Sequence, residues 1–298
     1  TITHSGYIKR TPQSVYRAQK RGGKGVKGMG TKEEDFVVNL FPTTTHSQIL
    51  CFTTLGKLYW LRVHQIPETL NRAARGKAIV NLLNLASHEK IKAILPVDKF
   101  EDGKFIVMAT RQGTLKKTAL SEFSNPRSDG IRAITFKDGD VLIGAGLTDG
   151  KKDIFLSTEK GLSIRFSEGQ VRPMGRSAKG VRGIRLGKED AVVAMEVFAP
   201  QDKAAILTVT ENGYGKRTDG EEYRSQSRGG KGIITIKTTE RNGSVVSMIS
   251  APDESDVMMI TNKGQIIRME AKDISIIGRN TQGVRLFRLS SGEKVVGG

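Results

Sequence analysis

One short unit is written six times along the 298 residues, and a chain built that way has few folds open to it. The unit is Thr-x-x-Gly, followed by an alternating run with a cation near its end. It begins as Thr3-His4-Ser5-Gly6, Thr53-Thr54-Leu55-Gly56 and Thr110-Arg111-Gln112-Gly113, and recurs as Thr158-Glu159-Lys160-Gly161, Thr210-Glu211-Asn212-Gly213 and Thr261-Asn262-Lys263-Gly264. These glycines are spaced roughly 48 to 57 residues apart. β-rich apolar runs precede the later copies, for example Ile49 to Thr53 and Phe105 to Thr110. An apolar run, a polar pair ending in Gly and an alternating run together spell a β-hairpin.

A second glycine follows each hairpin, at Gly25, Gly76, Gly130, Gly180, Gly232 and Gly283, and generally opens another alternating strand. A fourth apolar element closes most units, as in Ala191 to Met195 and Ser244 to Met248. Four strands per repeat, six times over, predict an all-β, six-bladed, propeller-like fold. Each blade shields its neighbour, so the whole of 1–298 is expected to form one domain. The approximate blades are 1–47, 48–103, 104–151, 152–203, 204–255 and 256–298. The chain begins and ends mid-unit, with Lys294-Val295-Val296 lacking a following hairpin, and whether the ring closes is left open.

Charge narrows the function. Lys and Arg number 48 against 31 acids, a formal net charge of +17. So large an excess on a folding chain calls for a polyanionic partner, nucleic acid before an anionic membrane. No apolar run approaches a membrane span, and no signal peptide or basic amphipathic helix is visible. The single Cys51 sits in an apolar run and forms no internal disulfide, which suits a reducing cytoplasm.

The cations share the phase of the repeat. Lys9, Arg10, Lys116, Lys117, Arg165, Lys216, Arg217 and Arg268 follow the hairpin glycines. Lys24, Lys77, Arg132, Lys179, Arg182, Lys231 and Arg285 flank the second glycines, whereas acids show no such phase. Equivalent positions in a radial repeat lie at equivalent radius and height, so these cations are expected to trace a belt suited to a bent duplex. Trp60 stands where the second unit should carry its cation and is read as a packing residue. No recognition helix, zinc spacing or paired stacking aromatics are present, so contact would be to phosphates and blind to sequence. If each blade neutralised one or two phosphates, affinity would fall about 10³- to 10⁵-fold between 50 and 200 mM salt. His4, His46, His64 and His88 are dispersed, no phosphate-binding P-loop pattern occurs, and no active site is visible.

The densest basic stretch is Gln19-Lys20-Arg21-Gly22-Gly23-Lys24-Gly25, with three cations and three glycines in seven residues. Its glycines permit close backbone approach, and its cations suit phosphate. A solvated basic loop would look the same in isolation. Arg228-Gly229-Gly230-Lys231-Gly232 repeats its core in the fifth unit and is a candidate second copy.

This stretch resembles the Gln-Arg-Arg-Gly-Gly-(Lys/Arg)-Gly box of the C-terminal domain of bacterial DNA gyrase A. The resemblance extends to Tyr16-Arg17-Ala18, Lys32 to Phe36, Asn212 to Arg217 and Ile274 to Gly283, which includes Arg279. Lys20 departs from the family's usual Arg. The resemblance implies a six-bladed β-pinwheel whose rim wraps double-stranded DNA, enabling the whole gyrase to introduce negative supercoils. The box would complete the wrap on the first blade. It also implies a bacterial, nucleoid-associated setting, a monomeric isolated domain, and partnership with the rest of gyrase A and with gyrase B in a heterotetramer. No catalytic residue, metal or cofactor is expected in this chain; ATP and Mg²⁺ belong to other parts of that complex. A topoisomerase IV counterpart and a protein-binding propeller scaffold are the alternatives.

Overall fold

A computed structural model describes residues 1–3, 5–12, 37–39, 43–71, 74–86, 88–201, 204–263 and 266–297. The box Gln19 to Gly25, the acids Glu33 to Asp35, His4 and the turn glycine Gly264 lie outside the described residues. Everything regular among the described residues is β-strand or a short 3-10 turn.

The repeated motif closes a turn. In the first five units the glycine N–H donates to the Thr carbonyl three residues back, at 2.9 to 3.1 Å. The Thr hydroxyl accepts the N–H of the residue after the glycine in Thr3, Thr53, Thr110 and Thr158. Such a turn requires a left-handed residue in fourth place. Gly161 has φ +80°, and a Cβ there would lie 2.2 Å from the Ile236 carbonyl oxygen, so only glycine fits. The pairing register shifts at the Thr in every unit, which bends the strand away from its inner neighbour.

Each hairpin forms the middle of a sheet. The third sheet runs Leu142–Thr148, Phe105–Thr110, Thr114–Ala119, Val181–Arg182, all antiparallel. The fourth runs Val192–Phe198, Asp153–Thr158, Leu162–Ser167, Ile233–Ile234. The first, second and fifth follow the same order, with outer strands Lys77–Ala78, Ile131–Arg132 and Val284–Arg285. One expectation is thereby corrected: a unit does not supply all four strands of its own blade. The strand after the second glycine crosses back to the preceding sheet. Gly180 has φ +90°, and a Cβ there would stand 2.5 Å from the Leu115 carbonyl oxygen, so the crossing strand approaches too closely for a side chain.

Five sheets therefore have four strands. The sixth has three among the described residues: Val295–Gly297, Asp256–Thr261 and Ile266–Glu270. The molecule is all-β and propeller-like.

Both faces of the second to fifth hairpins are covered, which is why the first strand of each is a continuous apolar run. Ile49 and Cys51 pack with Ile2 and Ile8 of the first sheet, while Leu50 and Phe52 pack with Ile106 and Met108 of the third. Val107 and Ala109 then pack with Leu156 and Ile164 of the fourth, and Phe155 with Ile206 and Met248 of the fifth. Burial pushes the Cys51 thiol up to about 12, so it behaves as a small apolar side chain.

The expectation that acids lack the phase of the repeat is also corrected. Glu89, Asp140, Asp190 and Glu293 occupy one equivalent place, two residues before the partner of the repeat Thr on the inner strand, and Gly243 holds it in the fifth unit. Asp140 accepts the Gln112 N–H at 2.9 Å, and Asp190 the Lys160 N–H at 3.0 Å. Glu89 and Glu293 accept the hydroxyls of Thr53 and Thr261 at 2.5 and 2.6 Å. These acids tie the hairpin turn to the inner strand.

Candidate nucleic-acid interface

The phased cations fall into two sets. Those after the hairpin glycines lie on the third strand of each sheet and, in the first five units, point into the junction with the next blade. Lys9, Lys116 and Lys216 are 1 %, 0 % and 0 % exposed. Lys116 Nζ donates to the carbonyls of Ala133 and Arg176, both at 2.5 Å, and Lys216 Nζ to those of Gly278 and Arg279 at 2.5 and 2.7 Å. Lys9 Nζ reaches the Asn71 carbonyl at 3.5 Å. Burial lowers the Lys116 ammonium to about 7 and that of Lys216 to about 8.

The neighbouring position grips the 3-10 turn of the following unit. Arg10 Nε donates to the Ile66 carbonyl at 2.9 Å and its guanidinium pairs with Glu68. Lys117 bonds the Glu168 carbonyl at 2.9 Å and faces its carboxylate at 3.4 Å. Arg165 holds Asp153 at 2.8 Å together with the carbonyls of Gly220 and Pro200. Arg217 holds the Ile274 carbonyl at 3.0 Å, the Ala251 carbonyl at 3.3 Å and the Asp253 carboxylate. Trp60 does the same work without charge: its indole N–H donates to the Phe123 carbonyl at 2.8 Å. It is a packing residue, as its sequence suggests, and also a clasp. Arg268, in the sixth unit, is exposed and pairs with Asp256 on its own hairpin.

The set beside the second glycines faces solvent. Arg132, Arg182 and Arg285 hold the second place of the outer strands of the second, third and fifth sheets and are exposed, as are Lys77, Lys179 and Lys231. The same outer-strand place holds Ala78 in one sheet and Ile234 in another. Arg285 also lies over the Tyr214 ring and donates to its hydroxyl at 2.9 Å. Together with Arg241, it draws the Tyr214 hydroxyl below its usual value. Exposed Arg185, Lys237 and Arg288 continue the stripe three residues further on in three units, a signal readable by counting five places from the second glycine.

Arg228, from the candidate second copy of the box, is largely occupied. Its Nη1 donates to the Arg182 carbonyl at 2.5 Å, its Nε to the Gln170 carbonyl at 3.2 Å, and its own N–H to the Gln170 side chain at 2.7 Å. Arg279 repeats this clasp one unit on, with Nη1 on the Ile234 carbonyl at 3.1 Å. Of that second copy, Lys231 remains exposed.

His46, His64 and His88 are each exposed, and no group of three or more His, Cys, Asp or Glu is placed to hold a metal among the described residues. Nor is any helix among them long and apolar enough to cross a membrane. The arrangement offers an edge of main chain and arginine, chemistry suited to phosphate oxygens.

Known proteins resemble the chain over its whole length. The family described as "DNA gyrase C-terminal domain, beta-propeller" matches residues 1–44, 47–98, 104–149, 152–199, 204–252 and 255–298. The DNA gyrase A protein of Salmonella typhimurium is 52% identical over 297 residues, covering 100% of this chain and 34% of the relative. The Escherichia coli K12 protein of the same name is 50% identical, with the same coverage. The chain thus spans about a third of the length of these curated relatives. A solved DNA gyrase A C-terminal domain superposes with TM-score 0.78 at 25% identity, covering 99% of this chain and 96% of that one. A topoisomerase IV C-terminal domain superposes with TM-score 0.86, also at 25% identity, covering 99% and 90%.

Proposed function

The chain belongs to the DNA gyrase C-terminal domain family, and from that premise we propose that it binds duplex DNA without reading sequence and wraps it chirally around its outer edge. In the full gyrase, such a wrap presents a neighbouring segment for strand passage and so enables negative supercoiling. The supporting observation is the row of exposed arginines, Arg132, Arg182 and Arg285, at one equivalent place on the outer strands of three sheets.

On this reading residues 1–298 form a single six-bladed β-pinwheel that contributes no catalytic group, cofactor or metal. Its partners are duplex DNA, the rest of gyrase A, and gyrase B in the bacterial cytoplasm. Gln19 to Gly25 complete the wrap, so Arg21→Ala with Lys24→Ala is expected to impair wrapping more than bare affinity; equal loss of both would reduce the box to ordinary cations.

Ligase closure of nicked circular DNA on the isolated protein tests the proposal. A shift of the topoisomer distribution that grows with protein is expected. An unchanged distribution at saturation refutes wrapping. A topoisomerase IV role has the higher TM-score of 0.86 in its favour, but the 52% and 50% identical relatives are gyrase A proteins. Supercoiling by the protein reassembled with its own gyrase B separates the two. A protein-binding scaffold would show no steep salt dependence on DNA.

A further inference from the structure

At the outer edge two blade junctions are closed by an arginine, and a third carries the arginine without closing. Between the third and fourth sheets Arg228 closes the outer edge by donating to the Arg182 carbonyl, and between the fourth and fifth Arg279 does so to the Ile234 carbonyl. The equivalent residue between the second and third sheets is Arg176, which faces Arg132. Its backbone is pinned like the others: Lys116 takes the Arg176 carbonyl, and Thr135 bonds the carbonyls of Ser177 and Ala178. Its guanidinium, however, makes no hydrogen bond among the described residues. The nearest acid is Glu122, 3.8 Å from Nε, a contact between half-exposed groups.

What remains is a cleft of about 490 Å³ at the outer edge, lined by Glu122, Arg127, Arg132 and Arg176 with the backbone of Gly130 and Gly175. Arg127 and Arg132 are exposed, and their side chains too make no hydrogen bond among the described residues. Three guanidiniums against one carboxylate leave a net positive hollow. Gly175, where an added Cβ would meet nothing within 4 Å, keeps one wall low, so a tetrahedral oxyanion can approach the backbone closely. An arginine already paired to its neighbour's carbonyl would lose that bond on meeting a ligand. Arg176 has only a loose ion pair to exchange.

We propose that this cleft is a seat for a single backbone phosphate of the bound duplex, with Arg127 and Arg132 donating two-pronged bonds and Arg176 turning from Glu122 to the same oxygens. It fixes the register of the DNA on the edge, whereas exposed cations such as Arg185 and Arg288 hold phosphates loosely. The seat rests on the duplex-binding reading above.

Two measurements on the same variants test it. Inorganic phosphate is titrated against the protein and followed by amide NMR shifts, and duplex affinity is measured between 50 and 200 mM salt. Wild-type protein is expected to give saturable shifts at Gly130, Arg132 and Gly175. Arg127→Gln with Arg132→Gln abolishes them and lowers the salt slope by about 2, which makes affinity roughly tenfold less sensitive over that range. The comparison pair Arg185→Gln with Arg288→Gln also lowers the slope but keeps the phosphate shifts. Phosphate shifts surviving in the cleft variant, or no saturable shift in wild type that binds DNA normally, would overturn the seat. Shifts lost with an unchanged DNA slope would mark a free-phosphate site and overturn the backbone assignment. Wild-type protein that binds no DNA would refute the duplex reading itself, a separate outcome.

Discussion

Lys116→Met is the sharpest test of how the phased cations divide. Methionine keeps most of the length and volume of the side chain but donates nothing, so the carbonyls of Ala133 and Arg176 lose their shared ammonium. Each buried acceptor left unsatisfied costs about 1–3 kcal/mol. Removing a buried charge returns part of that, since Lys116 is fully buried and its ammonium is desolvated. Swapping a buried ion pair for apolar residues can be neutral because both partners leave. Here the carbonyls stay, so a net loss of about 1–3 kcal/mol is expected.

Urea denaturation followed by circular dichroism measures it, with Lys216→Met as an independent repeat at the equivalent junction. The pH dependence carries the same signature. The folded ammonium is lowered from 10.5 to about 7, so between those values the folded state holds fewer protons than the unfolded chain. Stability contributed at this site therefore rises with pH across that window and is flat below it, and Lys116→Met removes the rise. Unchanged stability together with a DNA salt slope reduced by about 1 would make Lys116 a phosphate ligand and refute the clasp.

Trp60→Phe keeps an aromatic ring and loses the N–H on the Phe123 carbonyl; a destabilisation of about 1 kcal/mol is expected in the same urea titration, and none would sever Trp60 from the clasp series. Gly180→Ala forces a Cβ to within 2.5 Å of a carbonyl at φ +90°; lost native shifts around Leu115 and a lowered midpoint are expected, and a wild-type midpoint would refute the close approach. Burial raises the Glu196 carboxyl to about 7 from 4.5, so its ionisation opposes folding increasingly as pH rises through that window. Glu196→Gln is accordingly expected to stabilise at pH 8 and to matter little near pH 4, with denaturation midpoints at the two values as the check. Arg182→Ala and Arg285→Ala should each reduce the DNA salt slope by about 1, the first without changing stability and the second with loss of the bonds to Tyr214, and a slope identical to wild type would exclude them as phosphate contacts.

The hairpins were legible in the sequence because Thr-x-x-Gly encodes its own turn: the glycine's positive φ and the threonine's hydroxyl are local requirements that only a few residues meet. The outer strands were not legible as crossing strands. Two residues such as Val181–Arg182 carry too little pattern to name a partner, and their pairing with Thr114 and Leu115 spans more than a full repeat. The acids at 89, 140, 190 and 293 were hidden by their variety and by loops of unequal length before them.

The cations show what phase can and cannot say. In a radial repeat, equal phase gives an equal place in the sheet, but that place can be the inside of a junction as well as the rim. Local spacing does separate the two once the architecture is known. A residue three places after the hairpin glycine lies on a strand covered on both faces, where Lys116 or Lys216 must find carbonyls. A residue two places after the second glycine lies on the last strand of its sheet, where Arg182 meets solvent. The substitution pattern points the same way. The inner place alternates Lys9, Tyr59, Lys116, Ile164 and Lys216, exchanging a buried cation for a buried apolar or aromatic group, as a packed site tolerates. The neighbouring place takes Trp60 for arginine and keeps the hydrogen bond while losing the charge. Burial thus separates the two sets: the junction cations of the first five units spend their donors on carbonyls and acids of the fold, whereas Arg132, Arg182 and Arg285 on the outer strands stay exposed.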